Sequence, residues 1–138
     1  MPRVGLVALM TLLLVETGCD GGRHKFVFHG IARKDAVQQC VIDHGVKTVE
    51  DPGTRFQDAG SFAFKLFSVG IVVEFNTSQR RAKYTADQDR KRFLHGEKPS
   101  GSLGVVRRGN VVLWPIIPPM PKKVVALIED CIEQTTDG

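Results

Sequence analysis

The 138-residue sequence has no apolar run of about 18 residues, so no segment of it reads as a mature membrane-spanning helix. It also lacks H-E-x-x-H, C-x-x-C, EF-hand and G-x-S-x-G spacings, so no local motif announces a metal site or a serine nucleophile. Glycine (14) and proline (7) stay near average usage and no period of about 20–50 residues recurs, which excludes collagen-like, low-complexity and repeat architectures. Cysteine is scarce, at three, and Trp and Tyr occur once each. Neither sign of charge dominates: 19 Lys and Arg against 15 Asp and Glu leave +4, a mild bias toward anionic partners. What remains, at 42% hydrophobic and 25% charged, is the composition of one small globular domain.

The N-terminus differs from the rest. Met1-Pro2-Arg3 carries one positive charge, Val4 to Val15 is a weakly to strongly apolar run without a charge, and Glu16-Thr17-Gly18-Cys19 follows, the layout of an export signal over residues 1–18. Thr17-Gly18-Cys19 resembles the end of a bacterial lipoprotein signal, in which a small residue precedes a Cys that is lipidated after cleavage. The likeness covers this junction, with Glu16 standing where the family carries an aliphatic residue, usually Leu. The resemblance implies lipidation at Cys19, a membrane contact through that lipid, and a place on the extracytoplasmic side of the cell membrane. Export without lipidation implies a secreted protein instead. In general layout the chain is also similar to small envelope lipoproteins. Residues 19–32 then read as a tether, flexible at Asp20-Gly21-Gly22, with His24 to His29 either a strand or an ordered tail.

Residues 33–138 read as a single α+β domain. Ala36, Val37, Cys40 and Val41 share one helical face between Arg33 and His44, and Gly45 stands at the left-handed C-cap position. Gly45 to Val49 is a short strand candidate ended by Asp51-Pro52-Gly53. Ser61 to Phe67 and Ile71 to Asn76 alternate with a period of two, which predicts a hairpin turning at Ser68-Val69-Gly70 with one buried and one wetter face. Leu103 to Arg107 and Val111 to Trp114 predict a second hairpin around Arg108-Gly109-Asn110. Between them, Gln79 to Leu94 is a helix with Ser78 as N-cap, His95-Gly96 as its stop and a slim stripe of Ala82, Ala86 and Phe93. After an extended segment bearing Pro115, Pro118, Pro119 and Pro121, Val124, Leu127, Ile128 and Cys131 line a core-facing helix. The expected architecture is a two-layer sandwich, a mainly antiparallel sheet of two hairpins with three helices packed on one face.

An odd cysteine count in an exported chain implies a free thiol or an intermolecular bridge. Lipidation of Cys19 removes that oddness and leaves Cys40 and Cys131, which face inward on the first and last helices, to pair in an oxidising compartment. Two buried free thiols are the alternative.

No catalytic constellation assembles from the sequence, and no cofactor or metal is expected. The four histidines, His24, His29, His44 and His95, share no ligand spacing with cysteine or carboxylate, and His44 reads as a helix-capping cation. Helix 79–94 carries six Lys or Arg against two Asp, a net of +4 that equals the surplus of the whole chain. On a tethered domain, Arg80, Arg81, Tyr84, Lys91 and Arg92 present a face for anionic lipid or envelope polymer, or else an ordinary solvated helix exterior. Nucleic acid is not expected: there is no aromatic ladder or RNA-binding strand motif, and export argues against it. Trp114, Ile117 and Met120 in the proline-rich segment suit a protein partner, or else close the core beneath the last helix. The functional expectation is a membrane-tethered binding or interaction module of the cell envelope. A small extracytoplasmic enzyme, with a site assembled only in the fold, is the alternative.

Overall fold

The computed structural model describes residues 26, 28, 30–51, 56–93 and 104–136. The export signal, Cys19, most of the tether, His95 and the Pro52-Gly53 turn lie outside the described residues. Three helices, α1 (Lys34–Asp43), α2 (Gln79–Phe93) and α3 (Lys122–Thr135), accompany five strands. The strands are β1 (Thr48–Glu50), β2 (Ser61–Leu66), β3 (Val69–Phe75), β4 (Val106–Arg108) and β5 (Val111–Pro115). They form one antiparallel sheet in the order β1-β2-β3-β5-β4. The α+β class, both hairpins and the three helices agree with the sequence pattern.

One face of the sheet carries Phe62, Phe64, Ile71, Val73, Phe75, Val111 and Leu113. These pack with Val37 and Val41 of α1 and Val124, Ile128 and Ile132 of α3 into the main core. Phe62 stacks on Phe75 at a centroid distance of 5.9 Å, an aromatic pair beneath the two helices. Helix α1 ends as its sequence predicts. Gly45 takes φ +86°, its N–H bonds to the Ile42 carbonyl at 2.8 Å and the Val46 N–H to the Val41 carbonyl at 3.3 Å, a Schellman closure.

The opposite face corrects one expectation. It is not the wetter side: Ala63, Val72, Glu74 and Val112 are buried there as well. Val112 packs with Val105 and with Ala82 and Ala86 of α2, and Trp114 lies against the same group. Helix α2 therefore covers the sheet from the side opposite α1 and α3, making three layers where β4 and β5 run. The physical reason is visible in Val111-Val112-Leu113, a contiguous apolar run of β5 whose outer two residues enter the main core while Val112 packs under α2. The alanine stripe lets α2 lie close to it.

The first hairpin turns two residues earlier than the glycine suggested. Leu66 pairs with Val69, so Phe67 and Ser68 form a two-residue turn with φ of 53° and 65°. Both are left-handed, the geometry of a type I′ turn that asparagine and glycine normally occupy. Gly70 sits within β3 instead, where Ile116 passes so close that an added Cβ would lie 2.6 Å from its Cδ1.

Asn110 ties the ends of the fold together. Fully buried after Gly109 in the β4–β5 turn, its Nδ2 donates to the Ala32 carbonyl at 2.9 Å and the Asn76 carbonyl at 2.8 Å, while its Oδ1 accepts from the Ala32 N–H at 2.8 Å. The segment entering α1 is thereby fixed to both hairpins at one end of the sheet. Phe26 and Phe28 lie outside the strands, packed on the main core with their ring centroids 6.2 Å apart.

Candidate functional site

Cys40 and Cys131 form the disulfide that the pattern predicts, joining α1 to α3 across a separation of 91 residues. Cys131 is fully buried and Cys40 is 7% exposed, both within the main core. His44, exposed at the end of α1, places its Nδ1 2.8 Å from the Cys40 carbonyl, in keeping with a capping role, and 3.8 Å from the Cys40 sulfur. One potential ligand atom from each of Cys40, His44 and Cys131 falls within 4.8 Å of the others. Sequence spacing alone did not connect His44 with Cys131, because the two meet only when α1 and α3 pack.

Helix α2 presents Arg80, Lys83, Tyr84, Lys91 and Arg92 to solvent. Arg81 is committed elsewhere. Its Nε and Nη2 donate to the Phe56 carbonyl at 3.0 and 2.7 Å, and its guanidinium lies 4.9 Å from the Tyr84 ring centroid. The Tyr84 ring also meets Phe56 edge-on at 6.3 Å. Arg90 bonds Asp87 at 3.2 Å and the Val105 carbonyl at 3.3 Å. Asp58 accepts from the Thr77 N–H at 2.9 Å and the Thr77 hydroxyl at 2.8 Å. Partial desolvation opposes ionisation of Asp58, but these two bonds and the nearby Arg81 charge outweigh it and hold its pKa below the ordinary value. Asp58, Thr77, Ser78, Arg80, Arg81 and Tyr84 line a shallow, open groove at the start of α2.

Compared with protein-family models, curated proteins and solved structures, the chain matches none of them. Its candidate surfaces must be read from its own side chains.

The proline-rich segment divides in two. Met120 is only 4% exposed and belongs to the main core, and Trp114 is half-buried against the cluster beneath α2. Neither presents the free contact surface that the sequence suggested, because β5 carries Trp114 under α2 and the chain turns inward at Met120. Ile117 alone of the three stands out, at 67% exposure. Beside it are Ile116, whose N–H bonds to the Gly70 carbonyl at 2.8 Å, and Phe67 at the tip of the β2–β3 turn. Lys47, Lys65, Lys122 and Lys123 are exposed at the same end of the sheet, with the Lys123 ammonium 5.5 Å from the Phe67 ring centroid.

Two features of this end run against local stability. A bulky aromatic in the left-handed region costs about 1–2 kcal/mol relative to glycine. Lysines in the first turn of α3 oppose the helix dipole, and no acidic residue is there to offset them. Sequence reading missed Phe67 because its turn position emerges only from the strand register. Among the described residues no helix is long and apolar enough to cross a membrane.

Proposed function

We propose that the chain is an extracytoplasmic binding module, held at the cell membrane by a lipid on Cys19. The observation that carries this reading is the Cys40–Cys131 disulfide between two core helices, since such bonds persist in oxidising compartments. Local geometry supports a division of labour between the two ends of the sheet. Phe28 approaches Gly109, and its carbonyl accepts from Gln79 Nε2 at 2.9 Å, so the tether joins the domain beside the start of α2. Arg80 and Lys83, in the first turns of α2, then lie beside the point where the tether joins and face anionic head groups or envelope polymer. The opposite end, about 23 Å away along the seven residues of β3, points outward with Phe67, Ile116 and Ile117 ringed by lysines. An apolar patch of this kind suits a protein partner whose own apolar contact is bordered by Asp or Glu.

Fractionation of cells producing the wild type or Cys19→Ala tests the address, with palmitate-analogue labelling and non-reducing mass spectrometry of the product. The expected result is a labelled, membrane-associated wild type with Cys40 and Cys131 joined, and an unlabelled variant released from the membrane. Recovery of wild type from the soluble cell interior, with Met1 to Val15 intact and its thiols free, overturns the reading.

A further inference from the structure

We infer that Cys40 and Cys131, once reduced, form with His44 a redox-gated binding site for a thiolate-seeking divalent cation of the zinc class. The inference stands on the packing of α1 against α3 and is independent of the lipid anchor.

Zinc takes Cys sulfur at about 2.3 Å and His nitrogen at about 2.0–2.1 Å in tetrahedral geometry, so sulfur–sulfur edges are about 3.8 Å and sulfur–nitrogen edges about 3.6 Å. The His44 Nδ1 to Cys40 Sγ distance is already 3.8 Å, and all three ligand atoms lie within 4.8 Å. Cys40 and His44 are four residues apart at the end of α1, which puts both side chains on one face toward Cys131. The Cα atoms of the two cysteines are 5.6 Å apart, so after reduction their sulfurs reach the tetrahedral edge through side-chain rotation. His44 is exposed while Cys131 is fully buried and Cys40 nearly so, which leaves the imidazole side as the path of entry.

The chemistry balances. A dithiol reductant delivers two electrons and two protons to the Cys40–Cys131 bond and becomes a disulfide itself. The cation then displaces the two thiol protons and binds two thiolates and a neutral imidazole. The proton on His44 Nδ1, now within reach of the Cys40 carbonyl at 2.8 Å, passes to Nε2 of the exposed ring. Two negative sulfurs and one dication sum to zero, the condition under which a buried ionic site is tolerated. Three protein ligands leave the fourth position open, and the oxidised pair has no thiolate to offer.

Cobalt and zinc ions are the probes. The full chain, as wild type and as Cys19→Ala to remove the third thiol, is reduced with a phosphine, which leaves as its oxide after taking oxygen from water. It is then titrated with cobalt, followed by thiolate-to-metal and d–d absorption, and back-titrated with zinc. One equivalent bound by both reduced proteins, no such bands in the oxidised protein, and at least about 10-fold weaker binding by His44→Ala are expected, with affinity restored by His44→Cys. Circular dichroism accompanies each titration. Should reduction unfold the chain, zinc is expected to restore its helices and raise the Tm of the reduced protein only. Absence of the bands, equal affinity in His44→Ala, or a reduced chain that zinc fails to refold overturns the proposal.

Discussion

Replacing Asn110 with alanine tests whether one buried side chain holds the N-terminal entry of the fold to both hairpins. The substitution deletes three hydrogen bonds, two donated by Nδ2 to the carbonyls of Ala32 and Asn76 and one accepted by Oδ1 from the Ala32 N–H. Ala32 is 3% exposed and Asn76 fully buried, so water does not readily replace the lost partner. At about 1 kcal/mol net for each bond the expected loss is about 3 kcal/mol. That is a large share of the roughly 5–15 kcal/mol that holds a domain of this size together. Urea unfolding with the disulfide intact should show a lower midpoint with an unchanged m-value, and Tm should fall by about 12 °C. Hydrogen exchange at the Ala32 amide should accelerate as well. A loss below about 1 kcal/mol, or an Ala32 amide as protected as in wild type, refutes the reasoning. Asn110→Asp sharpens the test, since a carboxylate facing two carbonyl oxygens is worse than alanine at neutral pH.

Reduction of Cys40–Cys131 reopens a loop of 91 residues and should lower stability by about 4–5 kcal/mol, read as the difference between thermal melts with and without reductant in the absence of metal. Phe67→Asn combined with Ser68→Gly supplies the residues a type I′ turn favours and should raise stability by about 1 kcal/mol in urea unfolding, after loss of the Lys123 contact is counted. A destabilised double variant contradicts the strain argument. Asp58 should titrate below its ordinary 3.8 when followed by carboxyl carbon NMR. Because its folded pKa is depressed, the stability it contributes is complete above about pH 4–5 and is lost as pH falls through the folded value; Asp58→Asn should flatten that part of the acid limb.

Periodicity carried most of the architecture. The a/d-like spacing of Val124, Ile128 and Cys131, the alternation around Phe62 and Phe64, and Gly45 as a helix stop each express a local rule, and the structure obeys them. Inward-facing Cys40 and Cys131 likewise followed from helix phase. What periodicity left open depends on long-range packing. Gly70 draws a turn assignment toward itself, yet the pairing of Phe64 with Ile71 closes the hairpin at Phe67-Ser68 and leaves the glycine to admit Ile116. The side of the sheet that α2 covers was written in Val111-Val112-Leu113, whose continuity signals burial on both faces. A reading tuned to alternation passes over such a run. Met120 and Trp114 are apolar residues in a proline-rich stretch, and nothing local distinguishes an outward Ile117 from its inward neighbours. The meeting of His44 with Cys131 required two helices about ninety residues apart in sequence to dock.

The three layers are not held with equal strength. Helices α1 and α3 are clasped to each other by a covalent bond over a large aromatic and aliphatic core, whereas α2 is held by a smaller cluster of Ala82, Ala86, Val105, Val112 and Trp114 and by hydrogen bonds from Arg81, Thr85 and Arg90. Opening events should therefore be directional, with α2 peeling from its face as a unit while the clasped side stays closed. Such a molecule can change the presentation of its basic helix without surrendering the half that carries the lysine-ringed tip.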